Sequence, residues 1–202
     1  YFLYNTLECI RSIAEVHEVP EIIDISVAMS NIFRYSIKQS DLVTLRDELE
    51  CVKNYFRIID IRFRGRFQMD LLCDESLQEC EVIKMVLQPL VENAVYHGLE
   101  RKRGKGMVKI RIHRVDEKNM ECCVQDDGVG MDEATLEMLQ TALTQEHEIF
   151  YSESKRSVGL LNINNRIRSY YGNQYGLKIK SEKNKGTSVV FIIPLKGGIC
   201  SV

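Results

Sequence analysis

Glycine is absent from residues 1–64, and all twelve glycines of the 202-residue chain lie from Gly65 onward. Pro20 is the only proline before that point, so little interrupts a helical reading of the first third. Charge of one sign is lacking as well. A formal net charge of −2 gives no global field to draw in nucleic acid or an anionic membrane, and the basic run Arg101–Lys105 is too local to change that. The longest apolar run, "VVFII" at 189–193, has the length of a strand and cannot span a bilayer, and no signal peptide opens the chain. The seven cysteines form no CxxC pair. Adjacent Cys122 and Cys123 point to opposite faces of a strand and cannot share a metal, so reduced, mostly buried thiols are expected. The first residue is Tyr1, and "FLYNTL" already reads as helix interior. The expectation is therefore a piece of a longer chain, with any membrane segment upstream of it.

What is present is ordinary in bulk, 45% hydrophobic and 28% charged, and suits one large soluble domain or one with a smaller appendage. Its pattern changes character at Arg64-Gly65-Arg66. Before it, Leu3, Leu7, Ile10, Ala14 and His17 form one helical stripe, and Ile22, Ile25, Met29, Ile32 and Phe33 a second. Leu45, Leu49, Val52, Phe56, Ile59 and Phe63 then alternate steps of four and three, a seam that packs as a helical bundle within one chain or across a dimer. After it, strands are expected at 67–73, 107–113 and 120–125, with a closing pair around "EKNKG". Helices are expected at 82–99, 131–143 and 159–172, and 144–158 is polar and weakly patterned. Strands and helices mix without βαβ regularity. That argues for an α+β chain, with a helical region at 1–66 followed by a unit at 67–197 in which helices cover one face of a sheet.

The chemistry starts at "QDDGVG", residues 125–130, where two acids meet two glycines. Gly128 and Gly130 occupy ligand positions of a would-be calcium loop, which argues against calcium. Glu133 stands where a dinucleotide fingerprint needs its third glycine, and no GxxxxGK[ST] occurs anywhere. A carboxylate repels phosphate but accepts hydrogen bonds, so Asp126 suits a base presenting an amino group, as adenine does through N6. Guanine has a carbonyl there, a buried mispairing worth on the order of 1–3 kcal/mol. Gly128 and Gly130 then admit a flat ring without a Cβ in the way. Taken alone, an Asp-Gly pair more often means a turn. Asn93 in "LVENAVYHG" offers a hard amide oxygen for Mg²⁺, with His97 one turn later on the same face. Gly159 in "SVGLLNINNR" is read as a helix start, so the N–H groups from Gly159 to Asn162 form a phosphate site.

On these residues the chain resembles a known family. Residues 68–196 resemble the Bergerat-type ATP-binding domain shared by sensor histidine kinases, the HSP90 chaperones, MutL and type II topoisomerases. "VENAVYHG" is similar to the N box, "DDGVG" to the first glycine box, "SVGLLN" to the second, and "KGTSVVFIIP" to the closing strand. "FLYNTLECIRSIAE" with "LQPLVENAVYHG" downstream narrows this to the LytS/YesM-like histidine kinases, and the resemblance covers nearly the whole chain. It implies a dimerising, phosphoacceptor-bearing helical region at 1–66 and a two-layer α/β sandwich at 67–197 with a mixed, mainly antiparallel sheet. It implies ATP and Mg²⁺ as cofactors, with Asn93 on the metal and Asp126 on adenine N6. Gly128, Gly130, Gly159 and Leu160 would shape the pocket, with Asn162 in the second glycine box and Thr187 at the adenine end. Residues 144–158, with Lys155 and Arg156, would be the lid. The implied reaction phosphorylates a histidine and then an aspartate of a response regulator receiver domain, in a homodimer touching the membrane only through upstream segments and binding no nucleic acid.

Three positions depart from the family pattern. Ser157 replaces the first glycine of the second box, Tyr96 stands where many relatives carry a phosphate-contacting lysine, and Tyr1 stands at the phosphoacceptor histidine position. Two other readings stay open: a nucleotide-binding relay module without its own chemistry, and another Bergerat-fold ATPase or serine kinase. At single residues, His97 suits a phosphate contact or a helix C-terminus equally. Asn5, one turn after Tyr1, suits either orientation of a phosphatase water or a plain helix surface. His17 reads as a core or interface residue, and Arg166 as an ion-pair partner.

Overall fold

The computed structural model describes residues 2–144 and 155–195, with side chains in the second stretch from Val158 onward. Helix α1 (Phe2–Val16) turns at His17–Val19 into α2 (Pro20–Ser36), where Pro20 occupies the first turn and its missing N–H costs no hydrogen bond. Arg34 near the end of α2 donates to the Tyr4 hydroxyl near the start of α1 (3.1 Å), so the two run antiparallel. Helix α3 (Leu45–Arg62) is capped by Thr44, whose Oγ1 accepts the Asp47 N–H at 3.1 Å. It packs on α2 through Asp24–Arg57 (2.8 Å) and Asn31–Asn54 (3.1 Å). Along its middle α2 buries the small residues Ser26, Ala28 and Ser30, which lets its neighbours approach closely, and at its end Tyr35, while Ile22 stays exposed.

The main sheet has the order β2 (Phe67–Cys73), β4 (Gly106–Arg114), β5 (Asn119–Asp126), β7 (Gly186–Pro194), β6 (Leu177–Glu182). Among the described residues only the β2–β4 pair of this sheet is parallel. A separate ladder joins β1 (Leu42–Thr44) to β3 (Glu81–Ile83). Alternation along the strands sends Val108, Ile110 and Ile112, then Met120, Cys122 and Val124, then Val189, Phe191 and Ile193 to one face. Helices α4 (Leu87–Asn93) and α6 (Lys155–Tyr171) cover that face, α6 through Leu160, Ile163, Ile167 and Tyr171 at helical spacing. Helix α5 (Glu133–Thr144) packs on α6 and β6. This is the expected α+β sandwich.

The seam of α3 is used up inside the protomer: Leu45, Leu49, Val52, Phe56 and Ile59 are buried in the same core as the sheet residues. Packing is therefore continuous across the glycine-marked change at residue 66. His17 follows the end of α1 and is exposed, so it is not a core histidine of the protomer. The helix expected at 82–99 begins only at Leu87. Val82 and Ile83, both β-branched, face Val43 and Leu42 of β1 and pair as strand, and Met85 at φ +59 stops any helix from running through. Pro89 then falls in the first turn of α4, where it is tolerated. The run continues as a π-helical turn, Ala94–Leu99. Cys9, Cys51, Cys73, Cys122 and Cys123 are free thiols, as expected, but Cys80 is disulfide-bonded. Among the described residues no helix is long and apolar enough to cross a membrane.

Candidate nucleotide site

The inward row of β5 reads Met120, Cys122, Val124, Asp126, so the strand's period places a carboxylate where a core residue would stand. Asp126 is 4% exposed, and its Oδ1 accepts the Gly128 N–H at 2.8 Å. It sits directly under the π-helical turn, where a Cβ on Gly98 would come within 2.5 Å of that oxygen. Its cross-strand partner on β7 is Thr187, also buried, whose hydroxyl lies 2.9 Å from Ser181 Oγ. The neighbouring acid does a different job. Asp127 accepts the Met107 N–H (2.8 Å) and pairs with Lys102 (2.9 Å), fastening the loop to the start of β4.

The loop from Asp126 to Gly130 is clamped between the π-helical turn and the β6–β7 hairpin. Val129 donates to the Gly98 carbonyl (3.1 Å) and accepts from the Asn184 N–H (2.7 Å). The two loop glycines are required, but for a reason other than admitting a flat ring. A Cβ on Gly128 would lie 2.3 Å from the Gly98 carbonyl carbon, and one on Gly130, at φ +63, would lie 2.0 Å from the Glu182 oxygen. The protein's own backbone takes that room.

Asn93 ends α4, half-buried. Its Nδ2 donates to the Pro89 carbonyl at 2.8 Å, which uses the amide's donor end and leaves Oδ1 for a ligand. Gly159 of α6 faces it, a Cβ there coming 3.3 Å from Asn93 Nδ2. Helix α6 begins at Lys155, so the N–H groups of Gly159 to Asn162 lie inside the helix rather than at its open end. The phosphate-binding N–H groups placed there by the sequence reading are a turn too late. The Lys155 side chain lies outside the described residues, as does Tyr1. Leu160 is a buried core residue beneath the site (1% exposed), and Asn162 is exposed beside Asp41, Ile83 and Arg166 in a neighbouring cleft. His97 is half-buried on the π-helical turn. Tyr96 is held by Arg62, which donates to its hydroxyl at 2.9 Å. Asn5 is exposed on α1.

Comparison with known proteins draws these features together. The family model for histidine kinase-, DNA gyrase B- and HSP90-like ATPases matches residues 81–197, and that for histidine kinases matches residues 1–67. The chain belongs to the sensor histidine kinase family. It is 34% identical to the sensor histidine kinase YesM of Bacillus subtilis over 98% of this chain and 32% of that protein. It is 32% identical to the sensor protein LytS of Oceanobacillus iheyensis over 97% of this chain and 33% of that protein. This histidine kinase chain thus spans about a third of the length of the curated relatives it matches. Its fold resembles the catalytic domain of histidine kinase ThkA (TM-score 0.55, 16% identity, 78% of this chain and all of that one). It also resembles the histidine kinase domain of the blue-light-activated kinase EL346 of Erythrobacter litoralis (TM-score 0.54, 15% identity, 96% and 95%).

Several residues around this histidine kinase site were missed by the sequence reading. Gly98 is one: its missing Cβ is what lets Asp126 lie under the helix, and nothing in the motif alone marks it for that. Asn164, 2% exposed, ties α6 to its surroundings, donating to Leu143 O (3.1 Å) and accepting the Leu177 N–H (2.9 Å). Arg166 donates to the carbonyls of Met85 (3.0 Å) and Lys84 (2.6 Å) where an ion pair was expected. Nothing in a single sequence distinguishes such buried or backbone-bound polar residues from solvated ones.

Proposed function

We propose that this chain binds Mg-ATP between α4, the Asp126–Gly130 loop and α6. The protein it belongs to would transfer the γ-phosphoryl group to a histidine and then to an aspartate of a response regulator receiver domain. The observation carrying the reading is the carboxylate of Asp126, buried at the end of an apolar strand row beside Thr187 and beneath Gly98. A buried carboxylate with neighbouring apolar side chains selects a flat base that brings its own N–H donor, and adenine N6 is such a donor. Asn93 offers its amide oxygen as the single protein ligand of a magnesium ion, and Gly159 leaves room beside it. Magnesium, when bound, neutralises charge on the phosphate oxygens. In this reading the first N–H groups of α6, at Lys155, and His97 on the π-helical turn serve the phosphates, while Leu160 supports the pocket from the core and Asn162 belongs to its border.

Dimerisation fits α1 and α2. Phe2, Leu3, Ile10, Ile13 and Val16 lie exposed on α1, and Ile22 on α2, which is more apolar surface than a lone helical hairpin keeps in water. A homodimer through these helices would cover it. The contact to a membrane, in this reading, belongs to segments upstream of Tyr1. A second reading has one specific observation in its favour: with tyrosine at the acceptor position, the chain relays nucleotide binding without phosphorylating itself. Titration with a fluorescent ATP analogue tests the binding site. Asp126→Asn should lower affinity more than about tenfold while the circular dichroism spectrum is unchanged, because the charge-assisted bond to the base is lost. GTP should compete poorly. Equal affinities for wild type and variant would remove Asp126 from the site.

A further inference from the structure

The connection from β3 into α4, Lys84–Leu87, is held from several directions by residues that are not among the proposed nucleotide contacts. Glu48 of α3, fully buried, turns both carboxylate oxygens toward it. Oε1 accepts the Tyr35 hydroxyl and the Met85 N–H, and Oε2 accepts the N–H groups of Val86 (3.1 Å) and Leu87 (2.9 Å). The Met85 N–H also lies 3.2 Å from the Tyr35 hydroxyl. From α6, Arg166 donates to the carbonyls of Lys84 and Met85. Lys84 in turn reaches back to the carbonyls of Ser36 and Lys38 at the end of α2, each at 2.6 Å. Met85 is kept at φ +59 in this clasp, a conformation a non-glycine residue holds only when its surroundings over-determine it.

An α-helix leaves its first N–H groups without partners, and α4 has no side-chain cap of its own from Val86. The cap comes from α3 instead. Helix α4 is short, and the same run carries Asn93 at its end and Gly98 in the π-helical turn that roofs Asp126. A rigid run anchored at one end sets the position of the other. We propose that Glu48 is a positioning residue for the nucleotide site: by capping α4 it fixes Asn93 and Gly98 against Asp126, and through Tyr35 it makes that setting depend on the end of α2. The inference rests on the nucleotide reading of the site. It assigns to a buried carboxylate, remote from the ligand, the connection between the outer helices and the residues that hold magnesium and base.

Glu48→Gln keeps the shape but turns an amide N–H toward backbone N–H donors, and Tyr35→Phe removes the hydroxyl's bonds to Glu48 and to the Met85 N–H while leaving the carboxylate in place. Both are measured in the 202-residue chain by Mg-ATP-analogue titration and by amide hydrogen exchange without nucleotide, at temperatures where circular dichroism shows full folding. Glu48→Gln should weaken affinity about tenfold and Tyr35→Phe about threefold, because a smaller fraction of molecules holds α4 in the competent place. The amides of Asn93–Leu99 should exchange faster in both. Ile193→Ala, a buried substitution at the opposite end of β7, lowers stability without touching this junction and should leave affinity and those amides as in wild type. Unchanged affinity and exchange in the two junction variants would overturn the proposal, as would an equal loss in Ile193→Ala. Failure of the wild-type chain to bind the analogue removes the nucleotide reading itself. Faster exchange of Asn93–Leu99 in Glu48→Gln would still support the capping role in that case, and unchanged exchange would sink it.

Discussion

Asp126 and Glu48 are both carboxylates in core positions, and the chain handles them differently. Asp126 was legible because strand period and glycine spacing coincide at one place. Glu48 was not, because a glutamate beside Leu45 and Leu49 reads as the solvated flank of a helix, and only the fold brings three backbone N–H groups to it. Burial pushes the Glu48 carboxyl up from its ordinary 4.5, while the four donors around it pull it down. A raised folded value means the unfolded chain ionises first as pH rises. The stability attached to this group is then complete below that ordinary value and is lost as pH climbs through the folded value. Wild type should therefore lose urea stability relative to Glu48→Gln on raising the pH from about 4.5. A relative gain would mean that the donors outweigh burial. At Asn93 the expected effect is on metal: Asn93→Ala should weaken ATP-analogue binding about tenfold in Mg²⁺ and little in EDTA, since only the magnesium-bridged part is lost. Equal losses in both media would make Asn93 a packing residue.

Among elements, those with a strong apolar period were readable and those defined by contacts were not. The stripe of α3 and the alternation of β4, β5 and β7 carry their own signal, and the structure buries them closely as read; α1 is a helix as its stripe predicts. The start of α4 was misplaced because Val82 and Ile83 suit strand or helix equally until β1 arrives to pair with them. The start of α6 was misplaced because Lys155 to Ser157 add no apolar residue to its stripe, so the periodic signal begins only at Val158. Helix α1 raises the opposite question, since its period exceeds what the protomer buries: Leu7 and Ala14 face inward, while Ile10 and Ile13 are 40% and 55% exposed. If a second copy covers them, Ile13→Glu should convert the dimer to monomer in sedimentation equilibrium and leave nucleotide affinity unchanged. A monomeric wild type would assign that face to another partner.

At the scale of the molecule, the question is whether a nucleotide-binding unit and an acceptor helix amount to a working kinase. In the proposed reading the acceptor falls at position 1, followed by Phe2, where α1 is already helical, and by Asn5 one turn on. Tyr1 supplies a phenol there. A phenol oxygen sits farther from its Cα than an imidazole nitrogen does, and a phenol is a poorer nucleophile than a neutral imidazole, so reach and nucleophilicity are both wrong for in-line attack. The chain should therefore bind Mg-ATP without labelling itself from γ-labelled ATP. Tyr1→His should restore labelling, and the label should survive alkali and be lost in acid, as a phosphoramidate is; the double variant with Asn93→Ala is the blank. Acid-labile labelling of the unaltered chain would identify another of its four histidines as the acceptor, with His17, exposed just beyond α1, the nearest in sequence. No labelling even in Tyr1→His, with ATP-analogue binding intact, would instead establish the relay without chemistry.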